Sequence, residues 1–313
     1  MTRPSIDPAL GLDLARERTL RRRSGTVTVL VPAHDEAATV AEVVTQARCG
    51  LDHMEVRGEV VVSASGCADD TADVARAAGA TVVESPAGKG NAIVHGLRAA
   101  TGDVVCLVDG DLRYFGERTL VELLVGPILD GLADVTVSDL YWRPVYPQLW
   151  LHGFFAPLAG RLFPEILPKV GTTPWSGQRA ALRELWPEEL PEGFTADLAL
   201  LLHWNRHAGR MRPVLADDWT NPQRPKPELL RQEFELLVAH AVAEDRPVDV
   251  PRLRAWFDRA HDLMAAYRPG VDDPRRFELD LLDGSLKALD RSLRHGDPGQ
   301  GDQGQGDQGQ GGS

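Results

Sequence analysis

Four short stretches carry the acids, glycines and lysine from which a site for metal and phosphate could be built. They are Pro32-Ala33-His34-Asp35-Glu36, Ser65-Gly66-Cys67-Ala68-Asp69-Asp70, Gly88-Lys89-Gly90-Asn91 and Asp109-Gly110-Asp111. Two carboxylates at i and i+2, Asp109 and Asp111, suit one hard divalent cation such as Mg2+ or Mn2+, bound directly or through water. A cation so held bridges phosphate oxygens. Taken alone, the triplet reads as a solvated turn or as a cation clamp. Gly88-Lys89-Gly90 reads as a flexible turn or as a phosphate contact. Glycine permits close backbone approach, and a lysine ahead of a helix N-terminus suits an anion. The GxxxxGK[ST] spacing of a P-loop is missing. Glu36 reads as an acid at a helix N-terminus, favoured by the helix dipole, or as a site residue.

Something rigid must hold these stretches, and the chain between Thr26 and about Ser138 supplies it. TVTVLVPA (26–33) predicts a strand, ATVAEVVTQA (38–47) a helix, GEVVVSAS (58–65) a strand, and DDTADVARAAG (69–79) a helix capped by Asp69 or Asp70. ATVVES (80–85) predicts a third strand, GNAIVHGLRAAT (90–101) a third helix, DVVCLVD (103–109) a fourth strand and LADVTVSDL (132–140) a fifth. Apolar runs joined by crossover helices predict an α/β fold, a mostly parallel sheet flanked by helices. Ligands of such sheets bind beyond the carboxyl ends of the strands. All four stretches fall there, and their joint occurrence points to a diphosphate nucleotide held with a divalent metal.

Composition narrows the partners. The chain has 313 residues, 43% hydrophobic and 26% charged, with a formal net charge of −12. That charge argues against nucleic acid or anionic membrane as the main partner. No apolar run approaches the roughly 18 residues needed to span a bilayer, and MTRPSIDPALGLDLARERTLRRRSG lacks the apolar stretch of a secretory signal. Cys49, Cys67 and Cys106 show no CxxC spacing and so no disulfide or zinc framework. The expectation is a cytoplasmic protein. Residues 1–24 read as a polar lead-in and 228–295 as two or three amphipathic helices. Residues 296–313, which repeat GDQGQ without an apolar residue, read as a disordered tail.

The order Pro-Ala-x-x-Glu, Ser-Gly-x-x-Asp-Asp-Thr, Gly-Lys-Gly and Asp-x-Asp resembles that of GT-A fold nucleotide-sugar glycosyltransferases, family 2/81-like. Within them it is most similar to glucosyl-3-phosphoglycerate synthases. The likeness covers Val27–Leu140 and, more thinly, Ser176–Pro225. It implies a Rossmann-like GT-A domain over 25–227, with a helical C-terminal region. It also implies a nucleoside-diphosphate sugar as donor, a small-molecule acceptor, retention of anomeric configuration, a Mg2+ or Mn2+ cofactor and a homodimer. Residue by residue, it implies that Pro32, Ala33, His34 and Glu36 hold the nucleoside and that Ser65 faces the base. Gly88 and Lys89 would contact the diphosphate or sugar, Asp109 and Gly110 the ribose or sugar, and Asp111 the metal. Trp175-Ser176-Gly177-Gln178 resembles the family's Ser-Gly-Glu segment, with Ser176 and Gly177 toward the donor and Trp175 and Gln178 toward the acceptor. Asp197 falls where relatives place an acid of the acceptor pocket and resembles the base of inverting members. It also reads as a helix N-terminal cap. Lys89 and Asp197 are the implied catalytic pair.

The departures from the family carry information. Ala64 stands where the family has a base-binding aspartate, which puts a uracil donor in doubt and opens a GDP-type one. Asn221 stands for the expected metal-ligating histidine, with Asp217 or Asp218 as substitutes. The family's phosphoglycerate-binding segment is replaced by YWRPVYPQLWLHGFFAP (141–157). That stretch reads as an apolar helix packed on the sheet, or as an acceptor pocket formed by Trp142, Tyr146, Trp150, His152 and Trp175. Aromatic faces of this kind suit a ring or a quaternary ammonium. The sharpest expectation is S-glycosylation of a betaine thiol such as ergothioneine in lincosamide antibiotic biosynthesis. The alternatives are glucosyl-3-phosphoglycerate synthesis, a sugar nucleotidyltransferase (disfavoured because Pro32-Ala33-His34-Asp35-Glu36 lacks the Gly-rich basic loop), and nucleotide binding without catalysis.

Overall fold

The computed structural model describes residues 25–114, 116–139, 149–216, 219–220 and 227–294. The first half alternates as the sequence predicts: β1 (Val27–Ala33), α1 (Val40–His53), β2 (Gly58–Ser65), α2 (Thr71–Ala77), β3 (Thr81–Ser85), α3 (Lys89–Ala99) and β4 (Val104–Leu107). Then come β5 (Arg113–Tyr114), α4 (Leu120–Leu129) and β6 (Val135–Asp139). Asp69 does act at the start of α2, where its Oδ1 accepts from the Thr71 N–H at 2.9 Å and from the Thr71 hydroxyl.

The second half adds α5 (Ala156–Leu162), β7 (Arg179–Leu182), α6 (Ala196–His207), β8 (Met211–Leu215), β9 (Trp219–Thr220), α7 (Pro227–Ala243), α8 (Val250–Ala265) and α9 (Pro274–Arg294). The sheet order is β3-β2-β1-β4-β7-β6-β8. Every pairing is parallel except those of β7, which runs antiparallel to both β4 and β6. β7 was not anticipated, and it starts at the rim where β1, β2 and β4 end, placing Arg179 there.

Side-chain alternation along β1 shows why both faces are apolar. Val27, Val29 and Val31 enter one core with α1 and α4, while Leu30 enters the other. The second core is continuous with the C-terminal helices, joining Leu30 and Leu107 to Phe234, Trp256 and Phe257. Phe234 and Phe257 stack at 4.5 Å between centroids. The Trp256 indole donates to Ser285 O at 3.1 Å, and the Ser285 hydroxyl donates to Gly153 O at 2.6 Å. Three helices, rather than two, make up the C-terminal region.

The aromatic stretch divides along these lines. Leu151–Phe155 is a π-helical turn running into α5. Phe154 and Phe155 are fully buried, so this part is core, as the apolar-helix reading expects. A small two-stranded ladder pairs Arg113 with Thr220 and Tyr114 with Trp219. It draws the chain just before Asn221 alongside the chain leaving Asp111. Among the described residues no helix is long and apolar enough to cross a membrane. The polar lead-in and the Gly-Gln tail lie outside the described residues.

Candidate active site

β1 and β4 end side by side. The Gly110 N–H donates to Pro32 O at 3.2 Å, and the Thr39 hydroxyl donates to Gly110 O at 2.8 Å. A side chain at Gly110 would press on the Ala33 Cβ at 2.9 Å. Gly110 therefore lets the Asp109–Asp111 turn lie against Pro32 and Ala33. Glu36 sits at the same rim, its N–H donating to the Thr71 hydroxyl at 2.7 Å and its carboxylate accepting from Thr39.

The centre is a network of charges. Lys89 Nζ lies 2.8 Å from Asp197 Oδ2 and 3.0 Å from Asp109 Oδ1. Arg179, fully buried on β7, places Nη2 3.6 Å from Asp197 Oδ1. Its Nη1 donates to Asp197 O and its Nε to Ser176 O, each at 2.6 Å. Burial pulls the Lys89 ammonium down, but Asp109 and Asp197 more than offset this and leave it above the ordinary lysine range. For Arg179 burial wins, and the guanidinium is held below its usual value despite the same carboxylates.

Asp111 is crowded by acids, which the Lys89 charge offsets only in part. Burial, then the charges of Asp109 and Glu36, push its carboxyl up from 3.8 to about 6. A carboxylate crowded by other acids is stabilised by a cation, so the donor set fits a hard divalent ion. Among the described residues, the three groups spaced to share an ion are instead His34, Asp35 and Cys67. These are already tied into the loops: His34 Nδ1 contacts Ser65 O at 2.6 Å, and Asp35 accepts from the Ala68 N–H at 2.7 Å. They read as loop scaffold.

Several sequence assignments change. Gln178 does not face an acceptor. It is fully buried, and both ends of its amide hold Asp109, accepting from the Asp109 N–H at 2.9 Å and donating to Oδ2 at 2.8 Å. It therefore positions Asp109. Ser65 is buried too, and its hydroxyl donates to Pro86 O at 2.8 Å and Gly88 O at 3.2 Å instead of facing a base. Ser65→Ala is expected to cost about 1 kcal/mol, the net worth of such a bond, read as a fall in thermal midpoint. Ser176 is buried against the Ser138 hydroxyl, and Gly177 lies over Asp109 and Lys89. The glycines flanking Lys89 serve a protein contact. Gly88, at φ +125°, and Gly90 let the Pro191–Glu192 backbone close in, and Glu192 O accepts from the Gly90 N–H at 2.8 Å. That carbonyl occupies one of the N–H groups at the start of α3.

Asp197 is not the helix cap. The capping position of α6 is Thr195, and Asp197 lies in the first turn, turned inward to Lys89 and Arg179. Trp150 and Trp175 are half-buried and meet edge to face at 5.9 Å, and Phe155 meets Trp175 at 5.0 Å. His152, on the π-helical turn, has its Nδ1 buried without a partner among the described residues, and burial lowers its basicity. Trp142, Tyr146 and Asn221 lie outside the described residues, as do Asp217 and Asp218.

Two buried charges escaped the sequence reading. Arg179 opens an otherwise apolar strand, Arg-Ala-Ala-Leu. Glu233 sits at a core position of α7, between Leu230 and Leu237. A charged residue at an apolar-periodic position is the signal that could have found both.

The model of glycosyl transferase family 2 matches residues 28–186. The chain belongs to glycosyl transferase family 2. The match spans β1 to just beyond β7, the elements that carry Lys89, Asp109, Asp111 and Arg179. The chain is 34% identical over 198 residues to glucosyl-3-phosphoglycerate synthase of Mycobacterium tuberculosis, covering 56% of this chain and 60% of that one. It thus spans less than two thirds of this relative. It is 29% identical over 124 residues to a low-salt glycan biosynthesis hexosyltransferase of Haloferax volcanii, covering 39% of this chain and 29% of that one. The crystal structure of the M. tuberculosis synthase with Mn2+, UDP-glucose and phosphoglyceric acid superposes with a TM-score of 0.59 at 28% identity, over 79% of this chain and 87% of that one. The same synthase with Mg2+ and UDP gives 0.57 at 28% identity, over 80% and 87%. The fold is the GT-A, Rossmann-like sheet.

Proposed function

We propose that this chain is a metal-dependent glycosyltransferase that moves a sugar from a nucleoside-diphosphate sugar to a small-molecule acceptor. The observation that carries it is the juxtaposition of Lys89, Asp109, Asp111 and Asp197 at the carboxyl ends of a family 2 sheet. Asp111 would hold a divalent cation, with Asn221 as a second ligand on sequence grounds. When bound, that cation supplies a Lewis acid that neutralises the departing diphosphate. Lys89 adds a fixed positive charge beside it, preorganised by two carboxylates. Gln178 fixes Asp109 toward the ribose or sugar. Asp197, engaged by Lys89 and Arg179, serves better as the anchor of Lys89 than as a base, which favours retention of configuration.

The relatives' names supply UDP-glucose and phosphoglycerate as one donor and acceptor pair. A second reading, a GDP-type donor and a betaine thiol such as ergothioneine, is favoured by Ala64 and by the paired rings of Trp150 and Trp175. A panel of UDP- and GDP-sugars against both acceptors, with Mn2+ or Mg2+, separates these readings, and pyrophosphate release from a nucleoside triphosphate would revive the nucleotidyltransferase. Asp111→Asn is expected to abolish metal-stimulated donor turnover. The same change should raise metal-free stability near pH 8. A carboxyl raised above its unfolded value stabilises the fold fully only below about pH 4, and that contribution is lost as pH rises through about 6. Partial exposure limits the gain to about 1 kcal/mol, some 2 °C in thermal midpoint. Equal turnover of a sugar-nucleotide panel by wild type and variant would remove the metal assignment.

A further inference from the structure

Native interiors rarely leave buried polar atoms unpaired, and each exception calls for a cause such as a water, an ion or a ligand. Among the described residues, Trp175 Nε1, Arg179 Nη2, Asp197 Oδ1 and Glu233 Oε2 are all buried without a hydrogen-bond partner. They are not scattered. Arg179 Nη2 faces Asp197 Oδ1 at 3.6 Å, too long for a hydrogen bond. The Glu233 carboxyl, on a residue only 1% exposed, lies within reach of both the Asp197 charge and the Trp175 indole. Trp175 is the half-buried member, flanked by Trp150 and Phe155.

We propose that Glu233 is a specificity-determining residue of the acceptor site, and that with Trp175 and Asp197 it receives a small neutral or cationic acceptor bearing N–H or O–H donors. This rests on the glycosyltransferase reading above. Three arguments support it. First, Glu233 Oε2 stays unpaired in an apolar helix face although the Trp175 indole leans on the carboxyl, and a buried acceptor short of donors calls for one from outside the protein. Second, both nearby cations are already committed, Lys89 to Asp109 and Asp197 and Arg179 to Asp197 and the Ser176 carbonyl. Third, burial and the Asp197 charge hold Glu233 well above the ordinary carboxylate range, and the Trp175 indole opposes this only in part. An anionic acceptor would meet the Asp197 and Glu233 carboxyls beside two cations already paired with carboxylates. A molecule with a hydrogen-bond donor would satisfy the orphaned oxygens of Asp197 and Glu233.

The test uses the full chain with Mn2+ and whichever of UDP-glucose and GDP-glucose it hydrolyses faster. Transfer to 3-phosphoglycerate, glycerol and 2-aminoethanol is measured for wild type, Glu233→Gln and Glu233→Leu, with Mn2+–nucleoside diphosphate affinity and thermal midpoint alongside. The wild type should prefer glycerol or 2-aminoethanol over 3-phosphoglycerate by at least tenfold in kcat/KM. Glu233→Leu should lose at least tenfold for the preferred acceptor, with nucleotide affinity unchanged and the thermal midpoint raised. Glu233→Gln, which keeps a polar group of the same shape, should stay within about threefold. The proposal is overturned if 3-phosphoglycerate is preferred, if none of the three is used above the rate of donor hydrolysis, or if Glu233→Leu leaves acceptor ranking intact. That last result would mean a structural water satisfies the cluster. Absence of Mn2+-dependent nucleotide binding in the wild type would instead sink the glycosyltransferase reading itself.

Discussion

Lys89→Met is expected to lower kcat/KM for sugar transfer by at least about 10²-fold and to destabilise the protein as well. Both effects follow from one contact. The ammonium stands 3.0 Å from Asp109 and 2.8 Å from Asp197, with all three side chains no more than 17% exposed. Removing one member of a buried ionic cluster leaves the others uncompensated, at about 3–5 kcal/mol when burial is complete. Slight exposure here, and the remaining Arg179, reduce this to about 2 kcal/mol, or roughly 5 °C in thermal midpoint. The loss of rate arises separately, from removing a fixed positive charge where the diphosphate departs. The double variant Lys89→Met, Asp109→Asn tells the two apart. It should recover much of the stability, because Asp109, which loses its ion-pair partner with Lys89, is no longer left as an orphaned charge, and none of the transfer. Should the double variant regain transfer, Lys89 would be a structural counter-ion alone.

The fold was legible because its signals are local. In β1, β2 and β4 nearly every side chain is buried, so the strands announce themselves as apolar runs and the intervening helices by their periodicity. β7 was not legible. It is four residues long and begins with Arg179, whose burial depends on Asp197 eighteen positions later. The same reason explains the mistaken glycine assignment. Gly88 and Gly90 were read as a flexible turn or as making room for phosphate, yet what approaches them is the backbone of Pro191 and Glu192, a hundred residues away. Gln178 looked like an acceptor contact because its neighbours resembled one, whereas only the structure shows its amide closing on Asp109. Glu233 was visible in principle. Leu230, Phe234, Leu237, Val238 and Ala241 mark the buried stripe of α7, and Glu233 falls on it. What the sequence withheld was which buried charge meets which partner, since every such pair joins distant segments.

The Lys89–Asp109 pair can also be disturbed from behind, and Gly177→Ala is expected to lower kcat/KM by about 10²-fold with only modest loss of stability. A Cβ at position 177 would fall on Asp109 Oδ2 and come within 2.7 Å of Lys89 Nζ. Gly177 is not in the left-handed region, so alanine suits its backbone and the effect is purely one of space. Overpacking of this kind costs about 1–3 kcal/mol. The neighbours are the ends of two side chains, so they will shift rather than the backbone, and the cost should lie at the lower end. Catalysis tolerates such shifts poorly, since a displacement near 1 Å is enough for about 10²-fold. Asp109 would also be pushed against its clasp with Gln178, breaking the arrangement from both sides. Mn2+ affinity should change little, because Asp111 lies outside the clash. Gly126→Ala is the matched control: it lies inside α4 with nothing beyond its chain neighbours within 4 Å of an added Cβ, and should leave activity unchanged, with no gain in stability because Pro127 follows it. Full transfer activity in Gly177→Ala would mean that the spacing of Lys89 and Asp109 is not what the reaction depends on, and that the charge at Lys89 acts on the donor from a wider range of positions.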